Sequence, residues 1–223
     1  MNKFLKFFTL MLVFAFVLAA CGAKPTPDAD GVVGSYTLKG TNPDGSTYEG
    51  SLDVTASGDA FKWSWNGGEY AGVGIQQNNI VSVAWGGDAC YVVSYVIGED
   101  GVLTGKWTDM AISGIGGDVA TPTDNMGEGI EGLYNALGTN PDGSEYGCSL
   151  QVTMKADNVY EWYWFGCGEY TGVGIQEGNI VSVAYGANEC SAMSYQVNDD
   201  SSLNAKWTYV GQTDLGTEVV TPK

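Results

Sequence analysis

The chain has 223 residues, with 26 Asp and Glu against 9 Lys, no Arg and no His, for a formal charge of −17. Nucleic-acid binding needs a basic footprint and anionic lipid attracts Lys and Arg, so this balance argues against both kinds of contact. The absence of His removes the usual general base and the commonest metal ligand, leaving carboxylates, tyrosines and lysines for any acid–base work.

Residues 1–20 read as a helical signal segment. Lys3 and Lys6 give the positive start, and Phe7 to Ala20 form an apolar run too short to span a bilayer. Removing this segment takes away two lysines and no acid, so the remainder carries 7 − 26 = −19. Residues 21–31, with Pro25 and Pro27, read as a tether.

The rest of the chain is written twice. Gly40-Thr-Asn-Pro-Asp-Gly-Ser46 returns as Gly138-Thr-Asn-Pro-Asp-Gly-Ser144, Glu69-Tyr-Ala-Gly-Val-Gly-Ile75 as Glu169-Tyr-Thr-Gly-Val-Gly-Ile175, and Asn79 to Ala84 as Asn179 to Ala184. At about 100 residues the period exceeds that of solenoid repeats, and each copy is large enough to be a domain. The expected organisation is a β-barrel domain over 32–122, a linker over 123–128 and a second β-barrel domain over 129–223.

Within each copy, alternating segments are separated by Gly, Asn, Asp and Ser, with no helical period. Strands are expected near 33–39, 47–56, 60–66, 69–76, 79–85, 90–98, 102–108 and 116–120. The fold class is all-β: two tandem antiparallel up-and-down β-barrels of about eight strands each, since closure removes exposed edges. A turn at Gly67-Gly68 sets Trp65 against Tyr70, Trp63 against Gly72 and Phe61 against Gly74, with rings covering bare backbone. A turn at Gly58-Asp59 pairs Leu52 with Trp65 and Val54 with Trp63. A turn around Asp100 pairs Tyr95 with Gly105 and Val93 with Trp107. Copy two has an extra residue in two turns, yet Leu150–Trp164, Val152–Trp162 and Trp162–Gly172 still match.

The candidate ligand-binding residues follow from this register. Trp65, Tyr70, Trp85 and Trp107, with Glu69 at the rim, gather at the end of copy one that carries the looser loops. Trp164, Tyr170, Tyr185 and Trp207, with Glu169, do so in copy two, where Ser191 stands for Tyr91. Such rings either line the mouth of a small barrel or plug it, and their number favours the plug.

Cys148 and Cys167 occur only in copy two and fall close together on the predicted register, so a disulfide between them is expected. Cys90 and Cys190 hold equivalent outward positions and are candidates for a bridge between the domains. The Asn-Pro-Asp-Gly-Ser loops fit type I turns better than calcium loops, so no metal and no cofactor is expected. Glu69 and Glu169 lack the second carboxylate that glycoside hydrolysis needs.

The run Leu18-Ala19-Ala20-Cys21-Gly22 resembles the lipobox of bacterial lipoproteins. That resemblance implies acylation of Cys21 and anchoring in the membrane on its extracytoplasmic face. The Asn-Pro-Asp-Gly-Ser-x-Tyr and Tyr-x-Gly-Val-Gly-Ile motifs, with Gly216 to Pro222, resemble a bacterial domain labelled fibronectin-binding protein. The opening Gly-Ser-Tyr and Gly-Leu-Tyr are distantly similar to the first strand of avidin-like and lipocalin barrels. Together these lead to the expectation of a non-enzymatic, lipid-anchored binding or adhesion protein. It would present two similar modules to an extracellular protein or glycan, with no nucleic-acid partner. The rival expectations are a carboxylate-dependent enzyme acting on carbohydrate or cell-wall material, and a purely structural envelope lipoprotein.

Overall fold

The computed structural model describes residues 31–223 except 88, 113, 124–126, 128 and 187–189. The signal segment, Cys21 and nearly all of the tether lie outside the described residues.

Copy one supplies β1 (Gly34–Thr41), β2 (Thr47–Ser57), β3 (Ala60–Trp65), β4 (Tyr70–Gln77), β5 (Ile80–Trp85), β6 (Cys90–Ile97), β7 (Leu103–Asp109) and β8 (Gly116–Pro122). Copy two supplies β9 (Gly132–Thr139), β10 (Glu145–Ala156), β11 (Val159–Phe165), β12 (Tyr170–Glu177), β13 (Ile180–Gly186), β14 (Ser191–Val197), β15 (Leu203–Tyr209) and β16 (Gly216–Pro222). All neighbouring strands pair antiparallel, and they close into two eight-stranded barrels. The expected registers hold: Trp65 faces Tyr70, Trp63 faces Gly72 and Phe61 faces Gly74. Leu52 faces Trp65, Trp162 faces Gly172 and Val93 faces Trp107.

The barrels are not the two sequence copies. The first barrel runs β1–β16–β15–β14–β5–β4–β3–β2, and the second runs β10–β11–β12–β13–β6–β7–β8–β9. Each therefore takes five strands from one copy and three from the other. In place of contiguous domains over 32–122 and 129–223, the chain crosses between barrels after β5 and crosses back after β13. The physical reason is that exchange preserves every strand register. Trp85 faces Ser191 across β5–β14 and Tyr185 faces Tyr91 across β13–β6. A hairpin within copy one would likewise set Trp85 against Tyr91, so backbone hydrogen bonding does not discriminate between the two arrangements.

The exchange creates an interface that an isolated barrel would lack. Val73, Ile75, Ala84, Val92, Val173, Ala184 and Ala192 point out of their own barrels and are buried together with Cys90 and Cys190. At its centre Ser82 Oγ and Ser182 Oγ lie 2.8 Å apart, and Ser82 Oγ donates to Ser94 Oγ at 2.9 Å. These small side chains let two sheet faces approach closely, and pairing the hydroxyls with each other avoids stranded buried donors. Cys90 and Cys190 form a disulfide beside the two crossings, their Cα atoms 5.6 Å apart.

If a protease site is inserted in residues 123–128, cleavage there should leave two fragments that co-elute as one particle of unchanged size, even after the disulfides are reduced without denaturant. Size-exclusion chromatography checks this. Separation of the fragments on reduction alone would show that each copy closes its own barrel.

Candidate functional site

Each barrel is closed at one end and hollow at the other. At the closed end Tyr36 Oη donates to Val32 O and Tyr134 Oη to Ile130 O, both at 2.7 Å, with Val32 and Ile130 themselves buried. These contacts sew the first strand of each copy over its own entry turn. The opposite end opens into a cavity of about 310 Å³ in the first barrel and about 340 Å³ in the second. The rings line these mouths and do not fill them, contrary to the expectation of a plug.

Trp65, Tyr70, Trp85 and Glu69 all border the first cavity, but their fourth aromatic partner is Trp207 from copy two. Trp164, Tyr170 and Tyr185 border the second, together with Trp107 and Tyr91 from copy one. The sequence assigned Trp107 and Trp207 each to its own copy; strand exchange trades them. Glu169 is exposed and does not border the second cavity. Tyr48 and Tyr146, missed in the sequence, are also wall residues.

The repeated glycines seat these rings. Tyr48 pairs with Gly40, and a Cβ on that glycine would fall 2.1 Å from the phenol ring; Gly138 and Tyr146 repeat the arrangement. Gly116 and Gly216 accept the rings of Trp107 and Trp207 in the same way, with a Cβ only 2.3 Å from the indole. The walls also brace one another. Tyr70 meets Trp85 edge-on at 5.8 Å and Trp207 meets Trp85 edge-on at 6.1 Å, while Tyr91 stacks on Tyr185 at 5.0 Å. Edge-to-face and offset contacts of this kind each add about 0.5–1.5 kcal/mol beyond area burial.

A carboxyl group stands deep in each cavity: Glu218 in the first and Asp118 in the second, 2% and 5% exposed. Tyr195 Oη donates to Glu218 Oε2, and Tyr95 Oη donates to Asp118 Oδ2 at 2.7 Å. Tyr195 stacks on Trp63 at 4.6 Å and Tyr95 on Trp162 at 5.2 Å, contacts that cross the copies. Burial raises Asp118 to about 6 and Glu218 to about 7, against the smaller opposing pull of the tyrosine hydrogen bonds. Both tyrosines are themselves pushed well up, by burial first and by the neighbouring acid second. No lysine borders either cavity among the described residues. Their strand positions alternate inward, but sequence patterning alone treats an inward acid as an exception to the apolar face. The buried tyrosine two pairs away was the only available signal.

Each mouth is tied at one corner by different chemistry. In the second barrel Cys148 and Cys167 form the expected disulfide, linking β10 to the turn before β12. In the first, Gly50 takes the place of Cys148. The side chain of Asn66 accepts from Ser51 N at 3.1 Å, holding β2 to the turn before β4. The Asn-Pro-Asp-Gly-Ser loops are self-contained turns. Gly45 N donates to Asn42 O, Ser46 N to Asp44 Oδ1, and Gly45 has φ 85°. The described residues hold no cluster of His, Cys, Asp and Glu suited to a metal.

Comparison with protein-family models, with characterised proteins and with solved structures finds no match to this chain.

The two buried acids set a pH dependence of stability. Both bind protons more tightly folded than unfolded, so stability should fall as pH rises from about 4 towards 7, and be greatest below the unfolded values. Shifts of this size correspond to about 3 kcal/mol for each group. Thermal unfolding followed between pH 4 and 8 should show this slope. Asp118→Asn and Glu218→Gln should each flatten it and raise stability at pH 8. An unchanged slope in both variants would mean that the carboxyls are not buried as described.

Proposed function

We propose that the chain is a non-enzymatic binding protein, held on the extracytoplasmic side of a membrane by lipid on Cys21, that presents two aromatic-walled cavities. What carries this reading is that the large inward side chains border open cavities of about 310 and 340 Å³ in both barrels. Spaces of this size suit a ring-sized group, either a free small molecule or the tip of a glycan or protein ligand. A whole protein partner would meet the rim loops around Asn42 and Asn140 and reach into the cavity with one side chain. Adhesion to an extracellular protein or glycan fits the same geometry, because two modules on one tether add avidity without new contact chemistry.

Catalysis on carbohydrate has less support. Glycoside hydrolysis uses two carboxyl groups flanking the bond. Among the described residues the second cavity has Asp118 as its sole acid, and the first pairs deep Glu218 only with exposed Glu49 and Glu69 at the rim. A purely structural envelope component has no use for open mouths.

Replacing Cys21 by Ala should move the protein from the membrane to the soluble fraction on cell fractionation; continued membrane retention would count against the anchor. Intrinsic tryptophan fluorescence of the detergent-solubilised chain, titrated with glycan, fibronectin and small-molecule panels, should identify ligands. Trp65→Ala should weaken binding in the first barrel and Trp164→Ala in the second, by at least about ten-fold, which is ~1.4 kcal/mol. Binding insensitive to both variants would place the ligand outside the cavities.

A further inference from the structure

We propose that each cavity receives the cationic end of a small organic molecule, an alkylated or methylated ammonium group, held by aromatic faces over Glu218 in the first barrel and Asp118 in the second. This rests on reading the cavities as binding sites and names their ligand class.

Charge is the first consideration. Asp118 borders its cavity and is almost fully buried; its Oδ2 accepts from Tyr95, and its buried Oδ1 has no hydrogen-bond partner among the described residues. A buried carboxylate is retained at a cost unless a cation or several donors compensate it. Tyr195 donates to Glu218 and Tyr95 to Asp118, Tyr146 and the backbone N–H of Val119 add to the stabilisation of the Asp118 carboxylate, and no lysine borders either cavity among the described residues. Protonation relieves the cost of burial at low pH; above about pH 7, where both acids are ionised, the walls bring no positive charge of their own and a bound cation supplies it. The cation need not touch the carboxylate, because an opposite charge within about 4–6 Å already favours the ionised form.

The walls are the second consideration. Trp65, Trp85, Trp207 and Tyr70 surround the first cavity, while Trp107, Trp164, Tyr91 and Tyr185 surround the second. Faces of Trp and Tyr are the surfaces on which ammonium groups are stabilised through the ring quadrupole, most strongly where water is excluded. An inorganic cation wants several converging oxygen ligands and makes no use of the ring faces, and the described residues hold no His, Cys, Asp and Glu cluster suited to a metal. At the first mouth Glu69 extends the negative potential to the rim, while Glu49 is paired with Lys39 at 3.0 Å, and the −19 charge of residues 21–223 enriches cations around the whole molecule. A neutral hydroxylated ring is the competing occupant, since it too stacks on aromatics, but it leaves the carboxylate without a counter-charge.

Titration sets the pH response. Asp118 is faced by Tyr95 from β6, Tyr146 from β10 and Tyr185 from β13; Glu218 is faced by Tyr195 from β14 and Tyr48 from β2, with Glu49 and Glu69 at the rim. Protonation of either acid removes the charge that a cation needs. Affinity should fall with decreasing pH, through about 7 in the first barrel and about 6 in the second.

The experiment is calorimetric titration of the full chain in neutral detergent at pH 8. The probes are tetramethylammonium, choline, the neutral choline isostere 3,3-dimethyl-1-butanol, and glucose. The expected result is two sites for the ammonium probes, with choline at least about ten-fold tighter than its isostere. Asp118→Asn should abolish one site and Glu218→Gln the other. Near-ultraviolet circular dichroism keeps loss of fold apart from loss of charge. If glucose or the isostere binds as well as choline, or if binding survives both acid substitutions, the cation assignment is overturned while the cavities stand as binding sites. If no probe binds and Trp65→Ala and Trp164→Ala leave every ligand of the chain unaffected, both readings fall.

Discussion

The pairing of β5 with β14, and of β13 with β6, is the contact on which both barrels depend. In this topology it joins a five-stranded piece of one copy to a three-stranded piece of the other, and left unjoined each piece would keep the open edges that invite uncontrolled association. Residues 80–84 and 180–184 are buried on both faces. Val81 and Val83 join the first barrel core, Val181 and Val183 the second, and Ser82, Ala84, Ser182 and Ala184 turn towards the other barrel. A strand buried on both sides loses the polar-out alternation and reads as an unbroken run. That is how Ile-Val-Ser-Val-Ala appears in both copies. Its serine is the one polar position, and it is satisfied by its own counterpart across the interface.

Closure brings a cost that the interior keeps. Asp118 and Glu218 sit where an apolar side chain would stabilise the fold more, and each requires a tyrosine aligned to its carboxyl. Those tyrosines are placed by stacking on Trp63 and Trp162, which belong to the opposite copy in each case. The carboxyls thus sit within ring stacks that the exchange assembles. Positions that weaken a core while being held this carefully are where function is expected to reside.

Much of the fold was legible because its signals are local. Aromatic residues opposite glycines set the registers of β2, β3 and β4. The extra residues of copy two fell in turns without disturbing Trp162 or Trp164, and Cys148 and Cys167 declared their own proximity. The partner of β5 was not legible, since it is a choice between chemically equivalent strands a hundred residues apart. Ser194 pairs with Ser82 and Ser94 with Ser182 at equivalent register positions, so either strand would meet β5 in the same way. The misplacement of Trp107 and Trp207 follows from that single ambiguity, as each was right in orientation and wrong in barrel. The deep acids were missed for another reason. Their burial depends on Tyr95 and Tyr195 reaching over Gly105 and Ala205 of the intervening strand, a contact between second-neighbour strands that alternation within one strand does not encode.

One feature of the side chains does distinguish the two closures. The exchanged pairs at the mouth are Trp85 with Ser191 and Tyr185 with Tyr91, a large ring beside a small residue in one barrel and two medium rings in the other. Closing each copy on itself would set Trp85 against Tyr91 and Tyr185 against Ser191, crowding one mouth and leaving the other slack. Packing penalises both excess and deficit of volume, so these four residues favour the crossing where the backbone is indifferent. The same four residues give the barrels differently shaped openings over a shared plan of a buried acid, a tyrosine donor and indole walls. Neither copy contains a whole site, so the two cavities could diverge only through paired changes in both halves of the chain. A molecule built in this way keeps two related sites in fixed proximity, and exchange rather than linker length determines their spacing.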